Sequence, residues 1–88
     1  MKINPKTNLP DYPQLDIWEI ADLIRKDWKN MYFGAVPYVD AMACVKSVND
    51  TYGVEDGKTQ VIYFLANGNT WRGEVARAIK KELNKRIK

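Results

Sequence analysis

Apolar residues recur at helical spacing in two long stretches of the chain, and a third stretch is apolar throughout. Ile17, Ile20, Ala21, Ile24 and Trp28 fall on one side of a 3.6-residue repeat, with Asp22, Arg25, Lys26 and Lys29 on the other. Asp16 suits the N-cap of that helix, and Glu19 three residues on can complete a capping box. Leu15 and Ile20 are placed for a hydrophobic staple. The pattern predicts a first helix over 16–30. At the far end, Trp71, Val75, Ile79, Leu83 and Ile87 are spaced by four, with Asn69 or Thr70 as cap and Glu74 in the first turn.

Between these lie two further elements. After the apolar connection Met31–Val36, Pro37 fits the first turn of a second helix. Its stripe would be Tyr38, Ala41, Met42, Val45, Val48 and Tyr52, and Gly53 would end it in a left-handed cap. Val54-Glu55-Asp56-Gly57 reads as a turn, with Asp56 as the next cap. Residues 59–66, TQVIYFLA, are ambiguous, because a continuous apolar run fits a buried strand or a buried helix. Helix is preferred, since a lone strand needs a partner for its backbone groups and no second strand candidate is visible. Asn67-Gly68 reads as the stop.

Pro5, Pro10 and Pro13 disfavour helix before residue 16, so residues 1–15 are expected to form an extended arm, pinned by Leu9, Tyr12 and Leu15 or else frayed. The expected fold is all-α: a compact bundle of about four short helices over 16–88, with a Pro-containing N-terminal arm.

With 88 residues, 45% of them hydrophobic, the chain has the means to fold as one domain. The net charge of +3 is unevenly placed. Residues 72–88 carry seven basic side chains against two acidic ones, a net +5, so the remainder is net −2.

The composition excludes several chemistries. There is no histidine, which removes Ser–His and Cys–His nucleophile pairs and His-ligated metals. One cysteine, Cys44, allows neither an internal disulfide nor a structural zinc site, and fits a reducing compartment. Placed mid-helix, Cys44 is expected to be buried and inert. No apolar run suggests a signal peptide or a membrane span, so a cytoplasmic protein is expected.

Gly53-Val54-Glu55-Asp56-Gly57-Lys58-Thr59 superficially resembles a phosphate-binding loop, but has three residues between its glycines where that loop has four, and it follows a helix rather than a strand. Asp50, Glu55 and Asp56 lack the alternating spacing of a calcium loop. No carboxylate pair is identifiable from spacing. A non-enzymatic protein without metal or cofactor is expected.

Two surfaces are candidates for a partner. The connection around Gly34 holds Tyr32, Phe33 and Tyr38, residue types enriched in protein-binding hot spots but equally useful for closing a small core. The final helix carries Arg72, Arg77, Lys80, Lys81, Lys85 and Lys88. A helix-turn-helix outline, with 67–69 as the turn, would make these a nucleic-acid surface; helix-dipole stabilisation and solubility explain the same charges as a solvated face. A protein partner or self-association is the first expectation and nucleic acid the alternative.

The segments Tyr32-Phe33-Gly34-Ala35-Val36-Pro37-Tyr38, Tyr52-Gly53, Tyr63-Phe64-Leu65-Ala66-Asn67 and Trp71-Arg72-Gly73 resemble small uncharacterised proteins encoded by bacteriophages and prophages, over residues 16–86. The resemblance implies a role inside a bacterial host and transfers no activity or site. It draws attention to Asn67, Trp71 and Arg72, with Asn67 read as ending the third helix and Arg72 as reaching nearby carbonyls or acids.

Overall fold

The computed structural model describes residues 2–53 and 55–88. Four helices build the core: α1 (Ile17–Asp27), α2 (Val36–Met42), α3 (Gly57–Ala66) and α4 (Glu74–Arg86). Two short antiparallel ribbons accompany them. β1 (Ile3–Asn4) pairs with β2 (Leu9–Pro10), and β3 (Thr51–Tyr52) pairs with β4 (Glu55–Asp56). The expected all-α class therefore holds for the helical core but not for the whole chain.

α1 forms where the spacing places it. The Asp16 N–H donates to Glu19 Oε1 at 2.9 Å, closing the Glu19 half of the expected capping box. Ile17, Ile20, Ala21 and Ile24 are fully buried, and Leu15 joins them from before the cap. The helix ends at Asp27, short of residue 30. Trp28 leaves the helical path, and its ring packs in the core against Phe64 and Trp71.

α2 starts as expected, with Pro37 in its first turn, but stops at Met42 instead of running to Tyr52. The residues after it favour other backbone conformations. Asp50 Oδ2 accepts from the N–H groups of Lys46 and Ser47, at 2.8 and 3.0 Å, and Ser47 Oγ accepts from the Asn49 N–H at 3.1 Å. Such side-chain bonds offer the backbone an alternative to the helix ladder. Val45 and Val48 still pack against the core, so their apolar spacing reports burial, not helix. Gly53 adopts a left-handed φ of +66°, as expected, but in the β3–β4 turn rather than at a helix end. Val54, part of the expected turn, lies outside the described residues.

The arm is folded rather than extended. Its two strands form a hairpin, and a 3₁₀ turn follows over Tyr12–Gln14. Leu15 is buried and Tyr12 half-buried against the core, whereas Leu9 is exposed and pins nothing. Arg86 on α4 holds the arm from the other end of the chain: it pairs with Glu82 at 2.8 Å and donates to the Tyr12 carbonyl at 2.8 Å.

α3 resolves the ambiguous run as a helix. Asp56 caps it, accepting from the Thr59 N–H at 2.8 Å and the Thr59 hydroxyl at 2.6 Å. α4 begins later than expected. Neither Asn69 nor Thr70 caps it; Gly73 occupies the cap position with φ +114°, a conformation that suits glycine. Trp71 is therefore not the first residue of the α4 stripe but a buried anchor in the loop before it. Trp28 and Trp71 stack with centroids 5.7 Å apart and planes 13° from parallel, and Phe64 meets both edge-on. Such aromatic pairs add about 0.5–1.5 kcal/mol beyond the area they bury. This cluster locks α1, α3 and the loop before α4 together.

Candidate functional site

The chain turns sharply after α1, and the turn separates the aromatic residues. Trp28 and Ala35 go inward, while Tyr32 and Phe33 stay outside, 45% and 80% exposed. Their rings lie 4.9 Å apart. The Tyr32 ring folds over Gly34 so closely that a Cβ there would sit 2.5 Å from it and 3.2 Å from Asn67 Oδ1. Glycine at 34 thus sets where the Tyr32 ring rests. Tyr32 also lines, with Ala66, Asn67, Asn69 and Thr70, a shallow cavity of about 290 Å³ at the C-terminal end of α3.

One turn back along α3, Tyr63 is 47% exposed and its ring lies 5.4 Å from that of Tyr38, tilted by 53°, with Tyr38 half-buried at the start of α2. Ile62 and Val36 are exposed beside them in sequence. Tyr32 and Phe33 thus pair with each other, whereas Tyr38 pairs with Tyr63 of α3. α3 buries Gln60, Val61 and Phe64, and this leaves Ile62 and Tyr63 on its outer side. The signal was present in the run TQVIYFLA: a ten-residue helix this apolar must expose part of it.

The basic residues divide differently from expectation. Arg77, Lys81, Lys85 and Lys88 are exposed and make no ion pair among the described residues. Lys80 does not belong with them. Its ammonium turns inward and donates to the carbonyls of Gly68 and Trp71 at 2.7 and 2.6 Å, 5.9 Å from the Trp71 ring centre. Burial, and then the charge of Arg72, lower its pKa from the ordinary lysine value. Lys80 closes off the loop that follows α3. Arg72 is exposed and precedes α4 rather than lying on it. Lys80, not Arg72, takes the loop carbonyls. Asn67 ends α3 as expected, its side-chain amide donating to the Tyr63 carbonyl at 2.8 Å.

The helix-turn-helix outline is not kept. Seven residues, 67–73, join α3 to α4, against the three or four of that motif. Of the segment 53–59, Glu55–Asp56 form β4 and residues 57–59 begin α3, and among the described residues no phosphate-binding loop joins a strand to a helix there. There the Asp56 carboxylate occupies the helix N-terminus, its pKa held below the ordinary value chiefly by the Thr59 hydroxyl and N–H. Asp50 is engaged by backbone N–H groups, and Glu55 accepts from the Gln60 side chain. Among the described residues no group of three or more potential ligands is arranged around a metal position. Cys44 is exposed, not buried: it follows α2 in a turn instead of lying inside a helix. Among the described residues no helix is long and apolar enough to cross a membrane.

No protein-family model matches the chain, and neither a curated protein nor a solved structure matches it.

Proposed function

We propose that this chain is a non-enzymatic accessory protein of the bacteriophage or prophage type that acts through protein–protein contact at its aromatic face. The observation that carries this reading is the clustering of exposed apolar side chains. Of the eight large hydrophobics exposed among the described residues, five (Tyr32, Phe33, Val36, Ile62 and Tyr63) come from the α1–α2 connection, the start of α2 and the outer side of α3. Exposed apolar residues scattered singly are ordinary, but a concentration of aromatics at one place marks an interaction surface. Phe33 and Tyr63 make no contribution to the buried core that would explain them. Tyr32, Phe33 and Tyr38 are the residues assigned to the contact, with Tyr63 added.

Affinity capture from bacterial lysate tests this, comparing the natural chain with an F33D/Y63S variant that melts at the same temperature. Proteins retained by the natural chain and lost with the variant support the role. Identical retention by both chains would contradict it.

A further inference from the structure

Arg77, Lys81 and Lys85 share one face of α4, and Lys88 follows two residues past its last residue. Steps of four residues keep the three helical cations within about 80° around the helix and spread them over about 12 Å along it. Glu74 stands at the N-terminal end of the same face and pairs with none of them.

Helix stability accounts for only part of this ridge. Cations near a helix C-terminus are favourable, which covers Lys85 in the last turn. Arg77 is the fourth residue of α4, where the dipole disfavours a positive charge, and Lys81 lies mid-helix. Solubility does not account for it either, because solubility is served by interspersed charges. α1 has that arrangement, with Lys26 on Asp22 at 3.0 Å and Arg25 on Asp40 at 2.5 Å. On α4 the outward cations are gathered together and none of them forms an ion pair among the described residues.

We infer that Arg77, Lys81 and Lys85 on α4, with Lys88 just beyond its end, bind the phosphate backbone of duplex nucleic acid without regard to sequence. Charge complementarity selects a polyanion. The face carries no aromatic side chain, so it has nothing on which unstacked bases of a single strand could stack. Three of the four cations are lysines, which contact phosphates as point charges rather than reading base edges. This surface is distinct from the aromatic face, and either assignment can fail without the other.

The test is fluorescence anisotropy of labelled DNA duplexes with the full chain between about 50 and 200 mM salt. Four neutralised phosphates predict a slope of log K against log salt of about −3.6, the same for two duplexes of unrelated sequence. An R77Q/K81Q variant should lose about half of that slope, that is, about 1.8. A K6Q/K58Q variant has the same net charge but changes exposed lysines away from α4, and should keep the slope. All four substitutions are at exposed positions, and matching thermal melts exclude misfolding. The inference is overturned by no binding at about 50 mM salt, by equal losses in both variants, or by tighter binding to polyglutamate or to anionic vesicles than to the duplex.

Discussion

Trp71 Nε1 donates to Asp27 Oδ2 at 2.8 Å, joining the last residue of α1 to the loop before α4 across 44 positions of sequence. Trp71 is 2% exposed, and the exposed Asp27 carboxylate is the partner of its N–H. D27A should destabilise the fold by about 1.5–3 kcal/mol, the worth of a hydrogen bond to a charged group. D27N keeps an oxygen acceptor, and should cost less, about 0.5–1.5 kcal/mol. Urea titration of both variants checks the order. Asp27 also raises the Tyr12 pKa, second to burial. D27N should therefore lower that pKa in a spectrophotometric titration, although it stays above the ordinary tyrosine value because burial remains.

Lys80 makes the loop before α4 sensitive to charge. Its folded pKa lies below the unfolded value, so between the two the unfolded chain holds more protons. This residue's contribution to stability therefore rises as pH increases through that window and is unchanged well below it. R72Q removes the charge that adds to the burial effect, and should move the Lys80 titration upward when followed by NMR of its terminal methylene. K80M leaves the Gly68 and Trp71 carbonyls without their donor, and should lower stability by about 1–3 kcal/mol.

Local signals of this kind explain what was legible in the sequence. Asp16 with Glu19 and Asp56 with Thr59 are partners three residues apart, and both helix starts were readable for that reason. The third helix was readable as a stop at Asn67 and a cap at Asp56, but its exposed side was not, because TQVIYFLA is apolar on both sides. The second helix was read too long because Val45 and Val48 kept helical spacing while Ser47 and Asp50 captured the backbone. The inward turn of Lys80, the Trp71–Asp27 bond and the Tyr38–Tyr63 pair join residues distant in sequence. Spacing carries no trace of them. Two-residue strands such as Ile3–Asn4 and Thr51–Tyr52 are too short to show alternation.

Asp56 carries an acid-sensitive part of the fold. Its pKa is lowered in the folded state, so the stability it supplies is present above the unfolded value of 3.8 and is lost as pH falls through the folded one. D56A should lower the melting temperature at neutral pH. The gap between D56A and the natural chain should shrink as the pH is taken below the ordinary carboxylate range.

The Tyr32 ring and Gly34 are predicted to couple. G34A introduces a Cβ against the ring and should either displace Tyr32 or cost about 1 kcal/mol, as overpacking does. In a Y32A background the same change meets no ring and should cost much less. A double-mutant cycle by chemical denaturation reads the difference directly.

The central claim is that the aromatic face contacts protein, and site-specific photo-crosslinking in bacterial cells tests it most directly. A photoreactive residue is placed at position 33, and in a second chain at position 18, where Trp18 is 49% exposed on α1. Position 33 should yield a discrete adduct, with a second copy or with another protein, that Y63S abolishes and that position 18 does not give. Adducts equally frequent at both positions, or none from position 33, would contradict the assignment.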